Sequence, residues 1–555
     1  MNAYDTALLD VLDQPAMAPH AVVPRPIVEL SWLPAIGRGP LAVTVTLAAV
    51  LLATSFYRLN HTDLWTHLNF GRWIVENGQL PVVDPVRPPA VAGTAYATTA
   101  WLSQVLAYFC HSVAGAEGLP LAHVSLVVAT SALVMWAVRA QGLAVGWVVA
   151  AAAASYILAL PVVGTIRPQL IGVVCFAAVL AGLAQSTTRR IASLWVPLVF
   201  VLWANAHGSF AVGLLLLACW CVGTSVDAWR ASGSWRAALT DPQARRAWSL
   251  AIASTIATCV NPYGPRLLVE VAGFSGHATL ADISEWQPLV IGSLSGGLFF
   301  GSLAITAVLL RLSPRPIRFH EVLCLVAFGL LALTAIRMLA WWALVWPWVV
   351  APHCAAVWRR QVSAAGLREA SAPTTTRTLA SIAFVFVALV WAPPTHALVT
   401  GTWRQEAELV SGDTPVFLAD EVQWRQLAGR LFAPMDWGDY LAWHTRGALR
   451  PVVNNSVHLI TPPVWRDYRT VTEGRSAWRA VLDHYRIQYL VVSRERSPEL
   501  LSAVLADQRS RILYQDQKAV LAELLPVENV VNEPGHGAGM GRIQETGAKS
   551  ANSEI

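Results

Sequence analysis

The stretch Asp63-Leu-Trp-Thr-His67 places a carboxylate and an imidazole four residues apart. On a helix that spacing puts both on one face. Such a pair can act as a general base toward a hydroxyl. It can also bind a divalent cation, with Asp84 as a further ligand. The same two residues would serve as a helix-capping Asp and a solvated His. Arg167 and Arg337 each follow a long apolar run. A guanidinium there suits bidentate phosphate binding, or it anchors a helix end at the membrane interface. Asn205 and His207 stand in the turn Trp203-Ala-Asn-Ala-His-Gly-Ser. There they either shape the turn or touch a substrate. Glu285 precedes Trp286. Together they could hold a sugar by carboxylate and ring, or the indole alone could anchor the interface. Asn261-Pro-Tyr-Gly264 reads as turn chemistry.

The elements that must position these groups are apolar. Of 555 residues, 55% are hydrophobic and 13% charged, against about 25% charged in a soluble domain. Before residue 397 apolar runs approach the roughly 20 residues needed to cross a bilayer. Arginine clusters at Arg189-Arg190, Arg230 to Arg246, Arg311 to Arg318 and Arg359-Arg360 mark cytoplasmic loops. Neighbouring clusters are then separated by pairs of crossings, near residues 191–206 and 208–227, 247–262 and 294–310, and 319–336 and 338–357. Upstream, Arg25 and Arg38 put the N-terminal segment 1–38 inside, and its polar, Pro-containing character makes the run at 39–57 an uncleaved anchor. Residues 58–100 form a long outer loop, and 101–116 a juxtamembrane helix. Crossings at 119–138, 143–162, 168–186 and 378–396 complete a count of about 11. Asp63, His67, Asp84, Arg167, His207, Glu285 and Arg337 then share the outer face. Ionisable groups near membrane depth usually line a cavity.

The composition changes at residues 397–525. Strands are expected near Pro415-Val-Phe-Leu-Ala, Pro451-Val-Val-Asn-Asn and Tyr489-Leu-Val-Val-Ser, and a helix at residues 478–485. The expected fold class is an α-helical polytopic membrane protein, residues 39–396, with a small extracytoplasmic α/β domain. Residues 526–555 lack apolar periodicity and are expected to be disordered. All seven cysteines lie in apolar segments, so no disulfide framework is expected. The net charge of +5 is explained by topology, and no basic stripe with interleaved aromatics points to nucleic acid.

The chain resembles the GT-C superfamily of membrane glycosyltransferases. The shared features are an acidic residue in a long first outer loop, a juxtamembrane helix after it, an Arg near the outer end of a late helix, and an extracytoplasmic C-terminal domain. It is also similar to a bacterial group carrying Asp63-Leu-Trp-Thr-His-Leu68, Arg167-Pro-Gln169, Trp203-Ala-Asn-Ala-His-Gly208 and Asn261-Pro-Tyr-Gly264. The resemblance spans about residues 40–520. It implies transfer of a sugar from a polyprenyl-phosphate donor to a glycan, lipid or protein acceptor outside the cell (inner or plasma) membrane. Asp63 would be the catalytic carboxylate, helped by His67, and Arg337 would bind the lipid phosphate. The paired acids of several such enzymes are absent. Arg167 stands where a second acid is often found, which leaves a divalent cation open as a cofactor. A lipid-glycan transporter and a non-catalytic scaffold are the alternatives. A transporter predicts polar groups at mid-membrane depth and internal repeats. A scaffold would present Asp436-Trp-Gly-Asp-Tyr440 and Asn454-Asn455 to a partner.

Overall fold

The computed structural model describes residues 33–59, 63–91, 93, 95–186, 192–274, 278–362 and 372–526. The expected disordered tail, most of the N-terminal segment and the Arg189-Arg190 cluster lie outside the described residues. The helices of the first part are α1 (Arg38–Ser55), α2 (Leu64–Asn77), α3 (Trp101–Ala114), α4 (Gly118–Arg139), α5 (Val145–Val163), α6 (Gln169–Ser186), α7 (Ala192–Ala206) and α8 (Phe210–Ser232). There follow α9 (Trp235–Thr240), α10 (Pro242–Ala257), α11 (Arg266–Phe274), α12 (Leu294–Leu312), α13 (Phe319–Thr334), α14 (Leu339–Val362), α15 (Thr375–Trp391) and α16 (Pro393–Thr400).

Each segment expected to span overlaps one of these helices, except that 378–396 straddles the break between α15 and α16, while 247–262 is shifted toward the C-terminal side of α10. Among the described residues six helical stretches are long and apolar enough to cross a bilayer, or seven if the pair α15 and α16, bent by 84°, is one span. The helices α6, α7 and α13 are apolar but shorter, and α10 carries Arg245 and Arg246 in its first half. The chain is a polytopic helical membrane protein. Its bundle core is aromatic: Phe176, Trp203, Phe328, Trp341 and Trp342 are all buried. Glycine lets the helices close up. A Cβ on Gly223 of α8 would lie 2.2 Å from the His320 Cα of α13.

The C-terminal part holds α17 (Glu406–Leu409), α18 (Val416–Trp424), α19 (Met435–His444), α20 (Pro462–Thr472), α21 (Trp478–His484) and α22 (Pro498–Ala506). Its strands are β1 (Gly429–Phe432), β2 (Leu449–Pro451), β3 (Tyr489–Ser493), β4 (Ser510–Gln515) and β5 (Ala519–Leu524). They form one sheet in the order β2-β1-β3-β5-β4. The first three are parallel, and β5 runs antiparallel to β3 and β4. The expected strand at Tyr489 and the helix after Ala477 are present. The strand expected at Pro415 is instead helix α18, because Leu418, Ala419 and Val422 bury one helical face. The strand expected from Pro451 is β2, which ends at that proline.

The segment that follows α1 does not stand apart from the C-terminal domain. Leu59, Leu64, Trp65 and Leu68 share one buried core with Leu409, Leu418, Leu431, Trp437, Tyr440 and Leu521. Leu59 also exchanges backbone hydrogen bonds with the chain at Leu409 and Ser411. Helix α3, expected at the interface, packs on α2. A Cβ on Gly71 would lie 2.1 Å from the Gln104 carbonyl oxygen.

Candidate active site

The site begins at the start of α2. Asp63 precedes its first turn, and the His67 N–H donates to the Asp63 carbonyl at 3.0 Å. This helical turn brings His67 Nε2 to 3.6 Å from the Asp63 carboxylate. Gln104 of α3 donates from Nε2 to His67 Nδ1 at 3.1 Å, which fixes the ring plane. Across from α2, Arg167 ends the α5–α6 connection, and its Nε lies 3.3 Å from the other Asp63 oxygen.

Arg167 also pairs with Glu285. Glu285 lies on a short 3₁₀ turn, Ser284–Trp286, in the α11–α12 connection. Its second oxygen accepts from Arg337 Nη1 at 3.2 Å. Arg337 sits on another 3₁₀ turn, Ile336–Met338, just before α14. The Gln169 side-chain oxygen accepts from Arg337 Nη2 at 3.0 Å, and the Arg337 guanidinium stacks over Trp286, 4.6 Å from the ring centre. The result is a charge chain in the order Asp63, Arg167, Glu285, Arg337. Each Glu285 oxygen takes one guanidinium.

Burial by itself would raise the Asp63 carboxyl, but Arg167, helped by His67 and Arg337, more than offsets it and holds Asp63 far below the usual carboxylate range. Burial, with the positive field of Arg337, pushes His207 down to about 3. His207 Nδ1 accepts the Ser209 N–H at 3.0 Å, so its ring is neutral and turn-bound.

Two cavities meet at this chain of charges. A polar one of about 390 Å³ includes Asp63, His67, His207, Glu285 and Arg337 in its lining, and is roofed by Asp436, Asn455, His458 and Arg496 of the C-terminal domain. An apolar cleft of about 130 Å³, lined by Val127, Tyr156, Val163, Leu170 and Leu344 among others, reaches the same Arg167, Glu285 and Arg337 from the bundle side.

Of the residues singled out from sequence, Asp63, His67, Arg167, His207, Glu285 and Arg337 come together. Asp84 and Asn205 do not. Asp84 is buried, its oxygens accepting from the Val86 and Arg87 N–H groups and from Asn454 Nδ2. Asn205 donates to the carbonyls of Val201 and Val260 and accepts from Trp101 Nε1. Both carry turn and loop structure. Among the described residues no group of three or more His, Cys, Asp or Glu side chains could hold a metal ion. Asp63 and His67 face each other here, and Arg167 lies against that carboxylate. One carboxylate and one imidazole with a guanidinium against them do not make a protein-only cation site. The scaffold alternative presents Asp436 and Asn455 to a partner; in the structure both line this cavity. Arg496, the Asp436 partner at 2.9 Å, is 60 residues away in sequence, so no spacing signal could reveal it.

No protein-family model matches the chain, and no curated protein matches it. The fold does match. It is the GT-C-like fold of membrane glycosyltransferases. The arabinofuranosyltransferase AftD from Mycobacteria aligns with a TM-score of 0.51 at 16% identity, over 89% of this chain and 42% of that one. ArnT from Cupriavidus metallidurans, bound to undecaprenyl phosphate, aligns at 0.47 and 14%, over 88% and 98%. The oligosaccharyltransferase AglB from Archaeoglobus fulgidus, in complex with an inhibitory peptide and a dolichol-phosphate, aligns at 0.49 and 11%, over 82% and 69%.

Proposed function

We propose that the protein is a membrane glycosyltransferase that moves a sugar from a polyprenyl-phosphate donor to an acceptor outside the membrane. One observation carries the reading. The Arg167–Glu285–Arg337 bridge is the seam between an apolar cleft and a polar cavity. An amphiphile with an apolar chain, a phosphate and a sugar has the same order of parts. Its chain would lie in the cleft, its phosphate at the two arginines in place of the Glu285 carboxylate, and its sugar in the cavity. The Trp286 ring and the Asp436–Arg496 pair are there to meet hydroxyls.

The chemistry follows from the sharing of Arg167. While Arg167 lies against Asp63, that carboxylate is a poor base. A donor phosphate that draws Arg167 to itself removes part of this stabilisation, and the Asp63 carboxyl becomes more basic. Asp63 then takes the proton of an acceptor hydroxyl. The acceptor oxygen bonds to the anomeric carbon as the bond from that carbon to the phosphate oxygen breaks. Polyprenyl phosphate leaves with the electron pair, its charge held by Arg337 and Arg167, and the anomeric centre inverts. His67, 3.6 Å from Asp63, holds the carboxylate in line. The orientation is part of the proposal: the Asp63 end and the C-terminal domain face outward.

Transfer from a radiolabelled polyprenyl-phosphate sugar by the purified protein tests this. Asp63→Asn is expected to lower the rate by about 10²–10⁴-fold, the range for losing a general base, with donor binding retained. Arg337→Ala is expected to weaken donor binding. Full activity in Asp63→Asn would overturn the assignment.

A further inference from the structure

Arg337 and Arg359 bracket α14 and lie roughly 33 Å apart at 1.5 Å per residue. Around the Arg359 end, away from the proposed active site, is a second cavity of about 660 Å³. Its walls come from the α4–α5 turn, α8, the α12–α13 connection and α14.

The sequence builds this cavity through a proline. Pro352 lies inside α14 and has no N–H to offer the Trp348 carbonyl one turn earlier. Gln141 of the α4–α5 turn donates its Nε2 to that carbonyl instead, at 3.1 Å. Trp348 is thereby a wall of the cavity, facing Trp220 at a ring separation of 5.8 Å. The Trp348 indole N–H is buried and has no hydrogen-bond partner among the described residues. A donor left this way is costly unless something accepts from it.

The charge of the cavity is one-sided. Its single carboxylate, Glu321, is fully engaged: Arg315 Nη2 lies at 2.7 Å, the Arg318 backbone N–H at 2.8 Å and His353 Nε2 at 3.5 Å. Arg318 and Arg359 remain exposed on the rim. The cavity therefore offers two guanidinia, an indole donor and apolar surface from Leu143, Val349 and Pro352. Basic pockets between helices at a membrane surface suit phosphate-bearing headgroups.

We infer that this cavity binds a phosphate group, with Arg318 and Arg359 holding its oxygens and the Trp348 N–H completing the site. The ligand is either the headgroup of an anionic phospholipid or free phosphate. The site is separate from the Asp63 centre and does not depend on the function proposed for it.

Native mass spectrometry of the full chain from neutral detergent, with dioleoyl phosphatidylglycerol added, reads the first source. A thermal shift with inorganic phosphate in the same detergent reads the second. Arg318→Ala/Arg359→Ala is expected to lose bound lipid, or the phosphate-induced shift, by at least about tenfold in affinity, as loss of charge-assisted hydrogen bonds implies. Trp348→Phe, which keeps the ring and removes the donor, is expected to fall in the same direction. Arg230→Ala/Arg236→Ala, on the same arginine-rich side but outside the cavity, is expected to bind as the native protein does. Equal losses in the control pair would show only general attraction of that face and overturn the site. Absence of binding with both probes would overturn it as well.

Discussion

At the residue scale, the carboxylate that the structure burdens most is Asp439, not Asp63. One Asp439 oxygen accepts from the Thr66 hydroxyl and from Asn455 backbone and side-chain N–H groups, while the other is buried without a partner among the described residues. Burial pushes this carboxyl up to about 7, only partly opposed by Thr66 and Asn455. The sign of the consequence is fixed by linkage. An acid whose folded pKa is raised binds more protons folded than unfolded between its two pKa values, so stability falls as pH rises across that interval. From near pH 4 to near pH 7 the native protein should therefore lose stability that Asp439→Asn does not lose. Thermal unfolding of both proteins across this range, compared pH by pH, checks it. Above pH 7 their difference should level off. Parallel curves throughout would remove Asp439 from the account.

At the element scale, the decisive contact is α2 against α3 and α19. Asn69 donates to the Asp439 carbonyl at 3.0 Å, Arg72 donates to the Trp443 carbonyl at 3.1 Å, and Gly71 lies against the Gln104 backbone. A methyl group at Gly71 would drive α3 away and with it Gln104, the residue that holds His67. Gly71→Ala is expected to cost about 1–3 kcal/mol by overpacking, seen as a lower melting temperature. Much of this scale was legible in the sequence. The apolar runs located the helices of the bundle, and the four-residue spacing of Asp63 and His67 implied the close approach that the structure shows. The apolar run after Pro415 misled, because five residues cannot separate a buried strand from the buried face of a helix. The roof of the cavity was illegible for a different reason. Asp436, Asn455, His458 and Arg496 converge only through sheet and helix packing, and nothing local marks them as neighbours.

At the scale of the whole molecule, the C-terminal domain is fastened to the bundle as well as to the first loop. Arg404, just beyond the bent pair α15 and α16, reaches Glu117 at the start of α4 through two hydrogen bonds of 2.5 and 2.7 Å. Glu117 is only 2% exposed. Removing its partner leaves a buried carboxylate uncompensated, a change that typically costs about 3–5 kcal/mol. Arg404→Ala should accordingly destabilise the protein far more than Arg425→Ala, whose pair with Glu421 is half-exposed. Denaturation in detergent distinguishes the two, and equal effects would mean that the Arg404 pair is not a fastening.

The shared core of α2 and the C-terminal domain also sets an order of events during synthesis. Leu64, Trp65 and Leu68 meet Leu119, Ile166 and Leu170 of this core early, but acquire the rest of their partners only when Leu409 to Leu521 have been made. At about 5–20 residues per second, that leaves them waiting for tens of seconds. Through that interval the segment bearing Asp63 has α3 to pack on but lacks the larger part of its core. The apolar surface still uncovered must be shielded by lipid or by a chaperone, and a ribosome that stalls before the last third of the message leaves behind a chain whose Asp63-bearing segment is a target for proteolysis.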